Sequence, residues 1–230
     1  MISPVLFVIA VIGIVIQAFF IAIEHKEKYV PAVVLKGLAS LCFVIIGCAG
    51  YMSCTGDQAA VSFAKKIFIA LILGMAGDIL LNLRFVFDKI GQKVFLAGIA
   101  AFLAGHILYL AALIPQTENL WGCVAIGAVI AAALLAYIFL TMEVKPAFKI
   151  FGIFYLGAVI IMTAIAGGIV IANPSVHNIM YAAGAVLFTL SDIVLIFNTF
   201  SGTTRFPLRI TNLSLYYIGQ LLIAFCLFFK

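Results

Sequence analysis

Long uninterrupted apolar runs separated by short polar clusters dominate the chain. Cutting at charges, prolines and polar clusters leaves spans near 4–23, 30–50, 64–83, 94–114, 121–140, 150–172, 177–200 and 212–229. A hydrocarbon core ~30 Å thick needs roughly 20 apolar residues per helix, and only helices or closed barrels satisfy every backbone group inside it. The runs do not alternate at period two, as a barrel wall requires, so each reads as a helix. The pattern predicts an all-α, polytopic transmembrane bundle of eight helices. No linker exceeds a short turn, so residues 1–230 read as a single integral membrane domain whose interior is built from helix faces.

Composition sharpens this reading. With 67% hydrophobic residues, 9% charged residues and a mean hydropathy of +1.33, the 230-residue chain lacks the polar surface of a soluble globule. The first run has no basic leader, is long enough to cross a bilayer and is followed by charges without a small-residue cleavage site, so it reads as a retained span. Five cysteines (Cys42, Cys48, Cys54, Cys123 and Cys226) form no C-x-x-C pair and act as small hydrophobes. No Cys/His spacing suggests a metal. The formal charge of +5 is scattered, without a basic run or interleaved aromatics, and gives nucleic-acid binding no support.

Charge orients the chain instead. Loops one, three, five and seven hold Lys26, Lys28, Arg84, Lys89, Lys93, Lys145, Lys149, Arg205 and Arg209, against Lys65, Lys66 and Lys230 on the other side. The positive-inside rule then puts both termini outside. A bacterial inner membrane, or the endoplasmic reticulum in a eukaryote, suits spans of this length.

Positions 114 apart show a weak internal repeat. Gly77-Asp78-Ile79-x-Leu81 lies opposite Ser191-Asp192-Ile193-x-Leu195, and Gly105-His106-x-Leu108 opposite Gly219-Gln220-x-Leu222. Two four-helix halves, 1–115 and 116–230, are expected. Because four is even they point the same way, and a pseudo-twofold along the membrane normal brings spans three and seven together.

Ionisable residues inside the bilayer are the informative ones, since a buried charge there costs several kcal/mol unless it has a partner or a water-filled cavity. Lys36, Asp78, His106 and Asp192 are so placed. At 1.5 Å per residue Lys36, Asp78 and Asp192 lie roughly 8–12 Å inside the same face of the bundle, with His106 nearer the midplane. Asn82 follows Asp78 by four residues, and Tyr216 and Gln220 share a face of the last span at the same spacing. Each has a plainer reading. Lys36 snorkels to the interface, the aspartates make structural interhelical hydrogen bonds, and His106 is a hydrogen-bonded core group. Tyr216 and Tyr217 are aromatic-belt anchors. His25 and His177 sit at interfaces, and Ala97, Ala101 and Gly105 form a close-packing seam.

Taken in order, Lys36-Gly37-Leu38, Gly77-Asp78-Ile79-Leu80-Leu81, Gly105-His106-Ile107-Leu108-Tyr109, Ser191-Asp192-Ile193-Val194-Leu195 with Phe200, and Tyr216-Tyr217-Ile218-Gly219-Gln220 resemble the motifs of the YhhN family of membrane proteins, which includes lysoplasmalogenases. Gly37 departs from a pattern that often has proline there. The resemblance implies cofactor-free hydrolysis of the vinyl ether bond of a lysophospholipid substrate, releasing a fatty aldehyde and glycerophosphocholine or glycerophosphoethanolamine. Asp78 and Asp192 match the acidic motifs assigned the catalytic role. Lys36, His106, Tyr216 and Gln220 match the other polar positions, and Asn82 and Tyr217 complete the expected substrate-binding set.

The chemistry suits two carboxylates. Protonation of the vinyl ether β-carbon gives an oxocarbenium ion that water attacks, so one protonated and one anionic aspartate divide the work, as in glycosidases. Lys36 then keeps the second aspartate ionised or reaches the substrate phosphate, while Tyr216, Gln220 and His106 orient water. Paired acids, a lysine and a two-fold repeat also describe a proton-coupled transporter, although no pair of Gly/Pro-broken spans is present. A non-catalytic lipid-binding scaffold is the third reading.

Overall fold

The computed structural model describes residues 2–87, 89–144, 146–200 and 202–229. These residues form α1 (Pro4–His25), α2 (Tyr29–Ser53), α3 (Gln58–Leu83), α4 (Gly91–Leu113), α5 (Leu120–Thr141), α6 (Pro146–Ala172), α7 (Val176–Phe200) and α8 (Phe206–Cys226). A single turn of 3-10 helix at Ile114–Gln116 extends α4, and no strand occurs among the described residues. Lys145 and Lys230, two of the cations that enter the orientation argument, lie outside them.

Helix starts follow local chemistry. Asp57 caps α3 by accepting from the amides of Ala59 and Ala60, so α3 begins at Gln58 rather than near residue 64 and carries Lys65 and Lys66 within the helix. Pro207 in the first turn of α8 has a fixed φ suited to a helix start and no amide to leave unpaired, and α8 begins six residues before the expected 212. Asn119 caps α5 through the Gly122 amide.

Seven helices, α1 to α7, are long and apolar enough to cross a membrane, and the protein is a multi-pass integral membrane protein. The remaining helix, α8, carries Arg209, Asn212, Tyr216 and Gln220, and these lower its apolarity. Its polar side is covered, because α7, α2, α1 and α3 pack around it, while Ile210 and Ile218 stay exposed. Lipid-facing apolar residues concentrate elsewhere, for example Val8, Val11 and Phe19 on α1 and Trp121, Val129 and Leu140 on α5.

Neighbouring helices pack as α1 with α2, α2 with α3, α3 with α4, α5 with α6, α6 with α7 and α7 with α8. Contacts distant in sequence, chiefly α4 with α6 and α2 with α8, close the bundle. α7 and α8 cross closely through a pair of glycines. A Cβ on Gly184 would sit 2.7 Å from the Gly219 carbonyl oxygen, and one on Gly219 2.8 Å from that of Gly184. Only glycine lets the two backbones meet so closely. On α4 the tight contacts run through Gly98 and Gly105, whereas Ala97 is exposed, so the expected seam is displaced by one residue at that end.

Candidate functional site

Near the odd-loop face of the bundle, α2, α3, α4, α5, α6, α7 and α8 surround a cavity of about 140 Å³. Its polar lining comes from Lys36, Asp78, Asn82, Arg84, Tyr155, Ser191, Asp192, Thr199, Arg209, Asn212 and Tyr216, and its remaining walls are largely Phe, Leu and Ile side chains. The volume is below the roughly 300 Å³ at which ordinary ligand pockets begin. A guest with a long chain would therefore have to extend beyond it along apolar helix surfaces.

Asp78, only 4% exposed, is the most heavily bonded group in the cavity. The hydroxyls of Ser40 and Tyr216 donate to its Oδ2 at 2.5 and 2.7 Å. The Lys36 ammonium pairs with its Oδ1 at 3.3 Å and also donates to Gln17 Oε1 at 3.4 Å. Lys36 is 1% exposed and lies 4.6 Å from the centre of the Tyr216 ring, so it does not snorkel to the interface. Three donors on one carboxylate, one of them a cation, favour its ionised form.

Asp192 has a sparser environment. It is 5% exposed, and its side-chain partner among the described residues is the Tyr155 hydroxyl, which donates to Oδ2 at 2.7 Å. Beside it, the Asn212 amide donates to the carbonyl and hydroxyl oxygens of Ser191 at 2.9 and 2.8 Å, which ties α8 to α7. One carboxylate thus sits in a cationic, donor-rich corner and the other beside a single phenol, within one cavity.

Other expected residues fall behind the cavity wall or away from it. Gln220 is buried one layer deeper, accepting from the Tyr109 hydroxyl at 3.1 Å and donating to Tyr216 Oη at 3.4 Å, so it acts on Asp78 through Tyr216. His106 does not line the cavity. Its Nδ1 donates to the Phe102 carbonyl at 2.8 Å and its ring packs edge-on against Tyr155, Phe188 and Tyr109, so it supports the phenol that holds Asp192. Tyr217 projects from another side of α8 and donates to the Ala39 carbonyl at 2.8 Å, because adjacent helical residues point about 100° apart. Asn82 lines the cavity while its amide donates to the Asp78 carbonyl at 2.8 Å. His177, the second residue of α7, is buried, its Nδ1 donating to the Cys226 carbonyl at 2.9 Å.

Several functional groups escaped the sequence reading. Ser40 carried a usable signal, since it follows Lys36 by one helical turn. So did Gln17, a lone amide in the middle of an apolar span. Tyr155, Ser191 and Asn212 gave no distinguishing pattern. Arg84 and Arg209 entered only as loop charges. Arg209 chelates Glu24 with Nε at 3.0 Å and Nη2 at 2.5 Å. Arg84, just past the end of α3, lies over the Phe85 and Phe95 rings at 4.5 and 4.2 Å from their centres. Burial, reinforced by the nearby Arg209 charge, lowers its guanidinium to about 10, which leaves it cationic at neutral pH.

The matches to known proteins are as follows. The YhhN family matches residues 31–227. Lysoplasmalogenase TMEM86B of Mus musculus is 29% identical over 160 residues, covering 67% of this chain and 59% of the mouse protein. Lysoplasmalogenase TMEM86B of Rattus norvegicus is 33% identical over 137 residues, covering 59% of this chain and 53% of the rat protein. The chain thus spans somewhat over half the length of these relatives. No solved structure matches it.

Proposed function

The chain belongs to the YhhN family, and on that premise we propose that it is a membrane hydrolase cleaving the vinyl ether bond of lysoplasmalogens, with Asp192 as the acid and Asp78 as the anion. The observation that carries this reading is that carboxylates from α3 and α7 line one largely apolar cavity in unlike hydrogen-bonding environments. The relatives named lysoplasmalogenase support the choice of substrate.

In this reading Asp192, in the corner without a cation partner, carries a proton and delivers it to the β-carbon of the alkenyl chain. The π electrons of the C=C bond form the new C–H bond, and positive charge develops on the α-carbon and ether oxygen. Asp78, held anionic by Lys36, Ser40 and Tyr216, offsets that charge at low local dielectric. Water adds to the α-carbon and returns a proton to Asp192. The hemiacetal then collapses, its C–O bond breaking as the leaving glycerol oxygen is protonated, to give a fatty aldehyde and a glycerophosphodiester. One water is consumed and no redox change occurs. The Tyr109–Gln220–Tyr216 chain of hydrogen bonds orients the phenol on Asp78.

Two four-helix halves, 1–115 and 116–230, account for why the carboxylates converge. Shifting each helix number by four turns α1–α2 into α5–α6, α2–α3 into α6–α7, α3–α4 into α7–α8 and α2–α8 into α6–α4, all of them packed pairs. The Gly184–Gly219 crossing lies 114 residues from that of Ala70 with Gly105. In each half a hydroxyl from the preceding helix, Ser40 or Tyr155, holds the aspartate. The excess of Lys and Arg in the odd-numbered loops supports a cavity mouth on the cytoplasmic leaflet, with both termini outside.

The test is purified protein in detergent with a lysoplasmalogen, aldehyde being trapped and measured. Asp78→Asn and Asp192→Asn are each expected to abolish release while expression is kept. Turnover in either variant removes the two-aspartate mechanism. Gradient-driven uptake into proteoliposomes without covalent product points instead to a carrier, and binding without turnover to a scaffold.

A further inference from the structure

Of the cations that line the cavity among the described residues, Arg84 is the one without a carboxylate partner. Lys36 has Asp78, and Arg209 has Glu24. Arg84 has neither a carboxylate within ion-pair distance nor a hydrogen-bond acceptor among the described residues, and its Nε is buried without a partner. Guanidinium groups present five donors and are seldom left unbonded where water is scarce. The two flanking phenylalanine rings fix the plane of the group but cannot accept its in-plane N–H bonds.

Position fits an anionic guest. Arg84 lines the same cavity as both aspartates. It follows Asp78 by six residues, about 9 Å of helical rise toward the odd-loop face. The three-carbon glycerol unit of a lysolipid and the reach of the arginine side chain close that gap between them. The turn is also held in place, since a Cβ on Gly91, the first residue of α4, would sit 2.6 Å from the Arg84 carbonyl oxygen. Charge agrees as well. The Arg84 guanidinium, with no carboxylate within ion-pair distance among the described residues, complements a phosphodiester monoanion.

From this geometry we propose that Arg84 anchors the phosphodiester of the lysolipid head group, leaving Lys36 to Asp78 alone. The assignment rests on the hydrolase reading for the identity of the lipid, yet it concerns binding and is measurable without turnover. An arginine–phosphate contact is charge-assisted and often bidentate. Losing it should weaken binding roughly 10- to 100-fold, the span of a hydrogen bond to a charged group.

The experiment compares two non-cleavable alkyl ethers, an alkyl lysophosphoethanolamine and the corresponding phosphate-free alkylglycerol, by their affinity for the purified protein. Wild type is expected to favour the phosphate-bearing ligand, and Arg84→Ala to lose that preference with little change toward alkylglycerol, which also reports a correctly folded cavity. Arg84→Lys should keep part of the preference. Equal affinity of wild type for both ligands, or an unchanged preference in Arg84→Ala, overturns the assignment. Displacement of the lysolipid by inorganic phosphate alone overturns the head-group source. If wild type shows the Arg84-dependent preference but releases no aldehyde from a lysoplasmalogen, the anchor stands and the hydrolase reading falls.

Discussion

Removing Lys36 tests the electrostatic core of the site most directly. In Lys36→Met the Asp78 carboxylate, 4% exposed, keeps the Ser40 and Tyr216 hydroxyls but loses its counter-ion at 3.3 Å. Breaking a buried pair from one side costs roughly 3–5 kcal/mol, because the charge left behind is neither solvated nor neutralised. At about 2–4 °C per kcal/mol for a chain of this size, the midpoint of thermal unfolding should fall by roughly 6–20 °C. Asp78→Asn strands the ammonium, with Gln17 as its remaining side-chain oxygen partner, and should cost a similar amount. The double variant removes both charges and, with methionine filling the lysine's volume, should recover most of the loss while staying inactive. Melting followed by circular dichroism in one detergent completes the cycle. Single variants melting within about 2 °C of wild type, or losses that simply add in the double variant, would show that Asp78 and Lys36 are not a charged pair and refute the assignment of Asp78 as the anion.

Two further outcomes separate catalytic from structural roles. Tyr155→Phe strips Asp192 of its hydroxyl donor and should lower kcat for aldehyde release about tenfold with expression intact, the effect of a hydrogen bond worth roughly 1.4 kcal/mol; an unchanged kcat removes Asp192 from the reaction. Tyr217→Phe breaks the bond to the Ala39 carbonyl and should lower the unfolding midpoint by a few degrees, from about 1 kcal/mol, while kcat stays within about twofold of wild type; a kcat loss matching that of Tyr155→Phe would bring Tyr217 back into the site.

What the sequence made legible was set by the bilayer. Hydrocarbon forbids unpaired backbone and penalises charge, so every span registered as an apolar run and each intramembrane charge stood out against its background. That is how Lys36, Asp78 and Asp192 were found and how depth put them in one layer. Rotation about each helix axis was hidden, because faces touching lipid and faces touching protein are equally apolar here. Tyr217 therefore could not be told from Tyr216, nor Ala97 from Gly98, until packing fixed which side faces in. Neutral hydroxyls and amides gave still less, since Ser40, Tyr155 and Asn212 acquire meaning only from what stands opposite. Arg84 was misleading in another way, as a cation beside a helix end looks the same whether it serves topology or a ligand.

The polar character of α8 bears on how the protein is made. A segment carrying Arg209, Asn212, Tyr216 and Gln220 has a poor intrinsic tendency to leave the translocon for lipid. Its crossing with α7 at Gly184 and Gly219 gives it a protein partner in place of lipid. A fault at that crossing would be expected to leave a chain whose other spans are inserted but whose polar layer around Asp78, Asp192 and Tyr216 is disturbed.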